Sequence, residues 1–328
     1  MIQTVTFIET NLLQRRKDLK MQKNKEKTRS KTTKTEKNDI RPEQSIALLK
    51  ALHILTRDGQ LNQDSRRKLK QIYHLYQFIE PLLKALLDKK PNGDNMCLVD
   101  HGAGKSYLGF ILYDLFFKQA APNAQVIGIE TRTELVEKSR ALATELGFAK
   151  GTQQGMRFLP LSVADSITSD ELPATVDIVT ALHACNTATD DAIRFALEKQ
   201  AQSIVLVPCC QAEVASLLRQ LKAEKVGGVD DDNPLGEIWR RPLHTREFGS
   251  HLTNVLRCLQ LEAHGYQVTV TELVGWEHSM KNELIIATKS AEKKGKPNRK
   301  QAERLQAMLS TLGLQDSLSA RFYLPTLN

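Results

Sequence analysis

The chain has 328 residues, 41% of them hydrophobic and 26% charged, with a formal net charge of +8, which suits one large domain with accessory segments. Its longest nearly apolar stretch, Tyr107–Phe117, contains Asp114 and is far too short to span a membrane, and Met1–Leu13 carries Glu9 and scattered polar residues, unlike a secretory leader. Five cysteines without framework spacing fit a reducing compartment, so a cytoplasmic protein is expected.

Charge is segregated along the chain. Residues 15–37 hold eleven Lys/Arg against three Asp/Glu, and residues 289–304 hold seven against two, which leaves the remainder at −5. Both segments read as flexible and basic, and the first is too poor in apolar residues to fold. Such arms add phosphate contacts and speed encounter with nucleic acid, which makes RNA the expected partner. The alternatives for the first are a solubilising tail, or an upstream extension of a chain that starts at Met21.

Two helical patterns follow. The first opens at Pro42 and reaches Leu55 before Gly59. The second runs from Gln63 to about Lys89, with Leu69, Ile72, Tyr73, Tyr76, Ile79, Leu83 and Leu86 on one face and a kink expected at Pro81. Arg66, Arg67, Lys68 and Lys70 cluster at its start as a solvated face or a phosphate grip. Both helices are expected to pack beside the domain that follows.

The apolar run Met96–Val99 closes on Asp100 and opens through Gly102 and Gly104 into a helical pattern over Tyr107–Phe117. Glycines there let a ligand approach the backbone, and the new helix offers unpaired N–H groups. A phosphate-binding P-loop would need a glycine at Val99, and the dinucleotide fingerprint would need one at Tyr107, so ATP and NAD are both disfavoured. A second short strand, Gln125–Glu130, ends in an acid placed to accept both hydrogen bonds of a ribose diol. Thr131–Glu134 has a capping-box pattern ahead of an amphipathic helix to Leu146.

Apolar runs at Met156–Leu161, Val176–Leu182 and Ser203–Pro208 alternate with helical patterns near Asp190–Gln200 and Gln211–Leu221. That alternation implies an α/β fold with a parallel, doubly wound sheet and ligands at the carboxyl ends of its strands. The acidic linker Gly227–Gly236 reads as an exposed turn rather than a metal site. A helix over His244–His264 precedes a strand Tyr266–Val274, whose Val268, Val270, Leu273 and Val274 point toward cover, and a last strand Asn282–Thr288. Trp239 and Trp276 are stacking platforms or ordinary cover; Lys281 and His278 lie in a polar hairpin loop.

With these residues the chain resembles the class I S-adenosylmethionine-dependent methyltransferases over Met96–Lys289. Asp100-x-Gly-x-Gly104 with Glu130 is the broad family pattern. His183-Ala-Cys-Asn-Thr-Ala-Thr-Asp190 and Pro208-Cys-Cys210 are more distinctive and resemble a subgroup that includes tRNA ribose 2′-O-methyltransferases. The resemblance implies a Rossmann-like, mostly parallel seven-stranded sheet with an antiparallel last strand and S-adenosylmethionine as cofactor. Asp100, Gly102 and Gly104 would border its methionine part, Glu130 would bind its ribose, and Asp165 would approach the adenine amino group. Ser106 stands where the family has a third small residue, and the Asp-Pro-Pro-Tyr signature of amine methylation is absent.

Chemistry is expected where the fourth and fifth strands end, on His183, Cys185 and Cys209. Three readings stand. His183 orients a ribose hydroxyl, or one cysteine is a covalent nucleophile for pyrimidine C5 methylation, or His183, Cys185, Cys209 and Cys210 hold zinc. Adjacent cysteines chelate awkwardly, so no metal is expected. Packing alone is the plainest role for Cys209 and Cys210. The chain thus divides into a basic arm (1–40), helices packing on the catalytic domain (41–90), a methyltransferase domain (91–289), and a basic linker with a helical tail (290–328). Methyl transfer to rRNA or tRNA without a covalent intermediate is the expected activity. The alternatives are a protein or small-molecule methyltransferase, or a non-catalytic RNA-binding protein that keeps the pocket.

Overall fold

A computed structural model describes residues 40–90, 96–151, 153–182, 187–208, 211–224, 234–273, 283–290 and 295–326. They fall into two compact units, one ending at Lys70 and the other beginning at Gln71. In the first, α1 (Ile46–Ala51) starts later than Pro42, because the Ser45 hydroxyl takes the Leu48 N–H as its N-cap. It also stops before Gly59: His53 has φ 55°, and Gly59 with φ 79° closes a separate turn over Thr56–Gln60. Helix α2 (Gln63–Leu87) crosses from one unit into the other and runs through Pro81 as one helix.

The second unit is built on a seven-stranded sheet. Its strands are β1 (Cys97–His101), β2 (Gln125–Ile129), β3 (Gly155–Leu159), β4 (Ile178–Leu182), β5 (Ser203–Val207), β6 (Tyr266–Glu272) and β7 (Glu283–Lys289). The order is β3-β2-β1-β4-β5-β7-β6, and only β7 runs against its neighbours. β1 and β5 are buried at every residue, as strands covered on both faces must be. The order reverses between β1 and β4, which places the ligand crevice at their carboxyl ends.

Between the strands lie α3 (Tyr107–Leu112), α4 (Thr133–Glu145), α5 (Val163–Thr168), α6 (Thr187–Glu198), α7 (Glu213–Glu224) and α8 (Pro242–Ala263). α3 continues through a π-helical turn at Tyr113–Phe117 into Lys118–Ala120. The expected capping box ahead of α4 does not form. Arg132 stands at the N-cap without a side-chain bond, while the Thr131 hydroxyl donates to Glu130 instead. On β6 the expected inward face is covered only at its start. Tyr266 is buried and Val268 packs on the core, but Val270 is 49% exposed on this edge strand; Leu273 is buried and Val274 lies outside the described residues.

The second basic segment is not a free arm where it is described. Lys289 ends β7, and Arg299, Lys300 and Arg304 belong to α9 (Arg299–Thr311). Leu305 and Leu309 of α9, with Leu314, Leu318 and Phe322 beyond it, pack on Val214 and Leu218 of α7 and Leu252 and Leu256 of α8. α7 and α8 meet closely at Gly249, where a β-carbon would lie 2.6 Å from the Ala215 backbone nitrogen and 2.7 Å from its Cα and Cβ.

A buried polar network ties this helical layer to the sheet. Arg257 of α8, 1% exposed, donates to both oxygens of Asp190 on α6 at 2.6 and 2.9 Å, and to Asn254 Oδ1 at 3.2 Å. Asn254 in turn accepts from Gln211 Nε2 and donates to Glu283 at the start of β7, each at 2.8 Å. Arg321 adds a second cation beside Asp190 and pairs with Glu213. Asp190→Ala strands the Arg257 charge in the interior and is expected to destabilise the protein by about 3–5 kcal/mol in urea melts. The apolar pair Asp190→Leu with Arg257→Met is expected to recover most of that loss.

Candidate functional site

The site grows from the carboxyl end of β1. Asp100 lies in register with Gly128 of β2 and Thr180 of β4, at the centre of the sheet, and is 3% exposed. The Thr180 hydroxyl donates to Asp100 Oδ1 at 2.6 Å. Burial pushes the Asp100 carboxyl up to about 7, and the Thr180 bond offsets only part of that. An acid this deep stays poised between neutral and charged at physiological pH.

Beyond it the chain turns through three left-handed residues, Gly102 (φ 63°), Gly104 (φ 57°) and Ser106 (φ 52°). The glycines take this conformation freely; Ser106 does not, so the departure seen in the sequence falls at a strained position. Its hydroxyl is buried and would lie 2.6 Å from a β-carbon on Gly109, so a larger residue there would have to turn the Ser106 side chain aside. His101 points the other way, into the core. Its Nε2 bonds Ser166 Oγ at 3.1 Å, its ring meets Phe195 edge-on, and burial lowers its pKa to about 3, so it stays neutral.

The loop is bolted to the end of β2. Ala103 donates to Ile129 O at 3.0 Å, and Gly104 N–H donates to Glu130 Oε2 at 2.8 Å. Glu130 also holds Arg132, through the backbone N–H at 3.1 Å and through Nε and Nη2 at 3.0 and 3.2 Å. Burial raises the Glu130 carboxyl, but the bonds from Arg132 and Gly104 outweigh it and hold its pKa at about 2. Glu130 is therefore an anion throughout the physiological range.

The structure thus brings Asp100, Gly102, Gly104 and Glu130 together at the ends of β1 and β2. Asp165 follows β3 and makes no hydrogen bond to these four residues. It is exposed on the first turn of α5, where it accepts from Ser162 Oγ at 2.6 Å and returns its own N–H. His183, Cys185 and Cys209 lie outside the described residues, as do Cys210, Trp276, His278, Lys281 and most of the acidic linker. The backbone does bring their strands together, since Leu182 and Val207 are register partners at the ends of β4 and β5. Trp239 is buried and stacks on Phe248 at 5.0 Å, which makes it cover rather than a platform. Among the described residues no cluster suits a metal ion, and no helix is long and apolar enough to cross a membrane.

Three residues of this site escaped the sequence reading. Thr180 announced itself only as the one polar residue within β4. Arg132, two residues after the acid, was absorbed into a capping pattern. Gly128 looked like an ordinary strand residue, yet a β-carbon there would lie 2.7 Å from the Phe158 ring.

Residues 67–217 match the family model described as a methyltransferase domain. No curated protein matches the chain. Among solved structures it is similar to a precorrin-6y C5,15-methyltransferase from Geobacter metallireducens GS-15, at 16% identity and a TM-score of 0.36, over 65% of this chain and 88% of that one. A magnesium protoporphyrin IX methyltransferase from Synechocystis PCC 6803 with bound SAH gives 15% and 0.39, over 74% and 95%. A 23S rRNA methyltransferase gives 11% and 0.36, over 73% and 77%. The matched stretch and the strand order agree: residues 67–217 match a methyltransferase domain, and the sheet around them is Rossmann-like, mostly parallel with one antiparallel strand.

The poise of Asp100 has a measurable sign. Its folded pKa lies above the unfolded value, so the folded state holds a proton that the unfolded state has released, and stability falls as pH rises from about 4 to about 7. Asp100→Asn removes that loss while keeping an acceptor for Thr180. The advantage in melting temperature of Asp100→Asn over the parent is expected to widen from pH 5 to pH 8. An equal difference at both would show that Asp100 does not titrate in this range.

Proposed function

We propose that the protein transfers the methyl group of S-adenosylmethionine to RNA, rRNA or tRNA, without a covalent intermediate. The residues fit the donor. Gly104 has no β-carbon, and the space such an atom would face is bounded by Arg132 Nη2 at 3.7 Å and Glu130 Oε2 at 4.0 Å. That opening lies between a buried acid and an anionic one.

The bound donor supplies an electrophilic methyl on a sulfonium. Glu130 accepts the ribose diol, and the backbone at Gly102 and Gly104 permits close approach of the methionine part. Ionised Asp100 faces the positive end of the ligand, which draws its proton off. Asp165 is the acceptor proposed for the adenine amino group. His183 orients the acceptor hydroxyl, and Cys185 and Cys209 shape the wall beside it, so that transfer relies on proximity.

The observation that carries the acceptor class is the segregation of charge. Residues 15–37 carry a net +8 against −5 for the chain outside the two basic segments. Arg67, Lys68 and Lys70 on α2, and Arg299, Lys300 and Arg304 on α9, are exposed and add further cations. A polyanionic acceptor suits that distribution.

The test is mass spectrometry of nucleosides from cellular RNA incubated with the enzyme and S-adenosylmethionine. A methylated nucleoside is expected, and Cys185→Ser, Cys209→Ser and Cys210→Ser are each expected to keep substantial activity. A protein adduct trapped on 5-fluoropyrimidine RNA would overturn the non-covalent route. Deleting residues 15–37 is expected to weaken RNA binding and flatten its log–log salt dependence with cofactor affinity intact. Equal slopes with and without the arm would leave it a tail.

A further inference from the structure

Glu130 has two oxygens and about four lone-pair sites, and all of them are taken. Oε1 accepts from Arg132 N–H at 3.1 Å, Arg132 Nε at 3.0 Å and Thr131 Oγ1 at 3.4 Å. Oε2 accepts from Gly104 N–H at 2.8 Å and Arg132 Nη2 at 3.2 Å. A vicinal diol needs one acceptor on each oxygen. Two of the five donors are backbone N–H groups fixed by the loop and by the start of α4, and neither can leave without unfolding the site. The Arg132 side chain can leave. It is 59% exposed on its outer side, whereas Glu130 is 8% exposed.

The guanidinium also matches what it excludes. Nε and Nη2 present two parallel N–H donors, one to each carboxylate oxygen, as the two hydroxyls of a ribose would. Nη2 is the nearest heavy atom, at 3.7 Å, to the place a Gly104 side chain would occupy. Arg132 therefore lies beside the bare Gly104 backbone, at ordinary contact distance from where a β-carbon would sit.

We infer that Arg132 is a built-in competitor for the cofactor's ribose subsite: its fork holds Glu130 in the free protein and swings into solvent when a vicinal diol takes its place. The inference rests on Glu130 being the ribose acceptor, and it goes beyond that reading by assigning Arg132 a role in setting affinity. Only the fraction of molecules with Arg132 released is competent to bind, so apparent affinity falls below the intrinsic affinity by that fraction. The arginine also shields the carboxylate, so the loop and the acid stay joined while no ligand is present.

The test is calorimetric titration of the full chain with S-adenosylhomocysteine, alongside a melting curve to show that each variant is folded. Arg132→Ala is expected to bind about 3- to 10-fold more tightly than the parent, the range for releasing a solvent-facing bidentate ion pair. Arg132→Lys keeps the charge and loses the fork, and it is expected to tighten binding as well. Glu130→Ala alone is expected to weaken binding by about tenfold or more. Adding Arg132→Ala to it is expected to change nothing further, because the competitor has lost its target. Weaker binding by Arg132→Ala would make Arg132 a ligand contact and overturn the inference. So would equal tightening with and without Glu130, which is a charge effect alone, or an Arg132→Lys variant that behaves as the parent. Unchanged affinity in Glu130→Ala removes the ribose reading itself, and the inference falls with it. Weakened Glu130→Ala with unaltered Arg132→Ala sinks the inference and leaves the ribose reading standing.

Discussion

The buried contact between Arg257 and Asp190 is where the two halves of the larger unit are joined. Two opposite charges taken out of water are tolerated only when geometry and further hydrogen bonds compensate their desolvation. Here the compensation is complete on the Asp190 side, with a two-pronged arginine and a second cation, Arg321, behind it. The Asn254 amide then relays the arrangement to Gln211 and Glu283. Gln211 follows the end of β5 and Glu283 opens β7, so the relay reaches the points where the chain leaves and rejoins the sheet. The network therefore does for the helical layer what hydrogen-bonded ladders do for the strands: it specifies one register among many apolar packings of similar energy.

At the other end of the crevice the physics runs in the opposite sense. Asp100 is buried with one hydroxyl bond, and the protein accepts an ill-solvated acid at the centre of its sheet. Ser106 holds a left-handed backbone that glycine would take more cheaply, and its hydroxyl is buried. Glu130, by contrast, is saturated with donors and firmly charged. The two acids of the site thus differ by about five pH units in where they titrate, and neighbouring donors rather than chain position make the difference.

Much of this architecture was legible in the residues. Alternating apolar runs located all seven strands within a few positions, because burial on both faces leaves little room for polar residues in β1, β2, β4 and β5. Asp100, Gly102, Gly104 and Glu130 were legible as neighbours because strand ends and left-handed turns leave local signatures in the residues. What escaped was relational. The Thr131–Glu134 pattern has the letters of a helix cap, but a carboxylate one residue upstream claims the threonine, and no local rule weighs the two. Val270 alternates correctly for an inward face that happens to have no cover at the sheet edge. The basic run 289–304 looked like a tail by charge alone, since its apolar partners, Leu305 and Leu309, come after the charges and meet helices far upstream. The network around Arg257 joins residues 190 to 321 and has no signature at any fixed spacing.

The contact between Gly249 and Ala215 carries a consequence for how such a chain can drift over generations. Two helices whose backbones touch have no slack, so one added methyl at Gly249 must move α7 as a body rather than rotate a side chain. α7 begins just after Gln211, which is held by Asn254, and Asn254 lies one turn and a half along the same helix as Gly249. A substitution there would therefore press on Gln211 and, through Asn254, on Glu283 at the start of β7. Lineages that changed this glycine would have to shift one helix against the other, so a position that looks like plain packing would admit little variation.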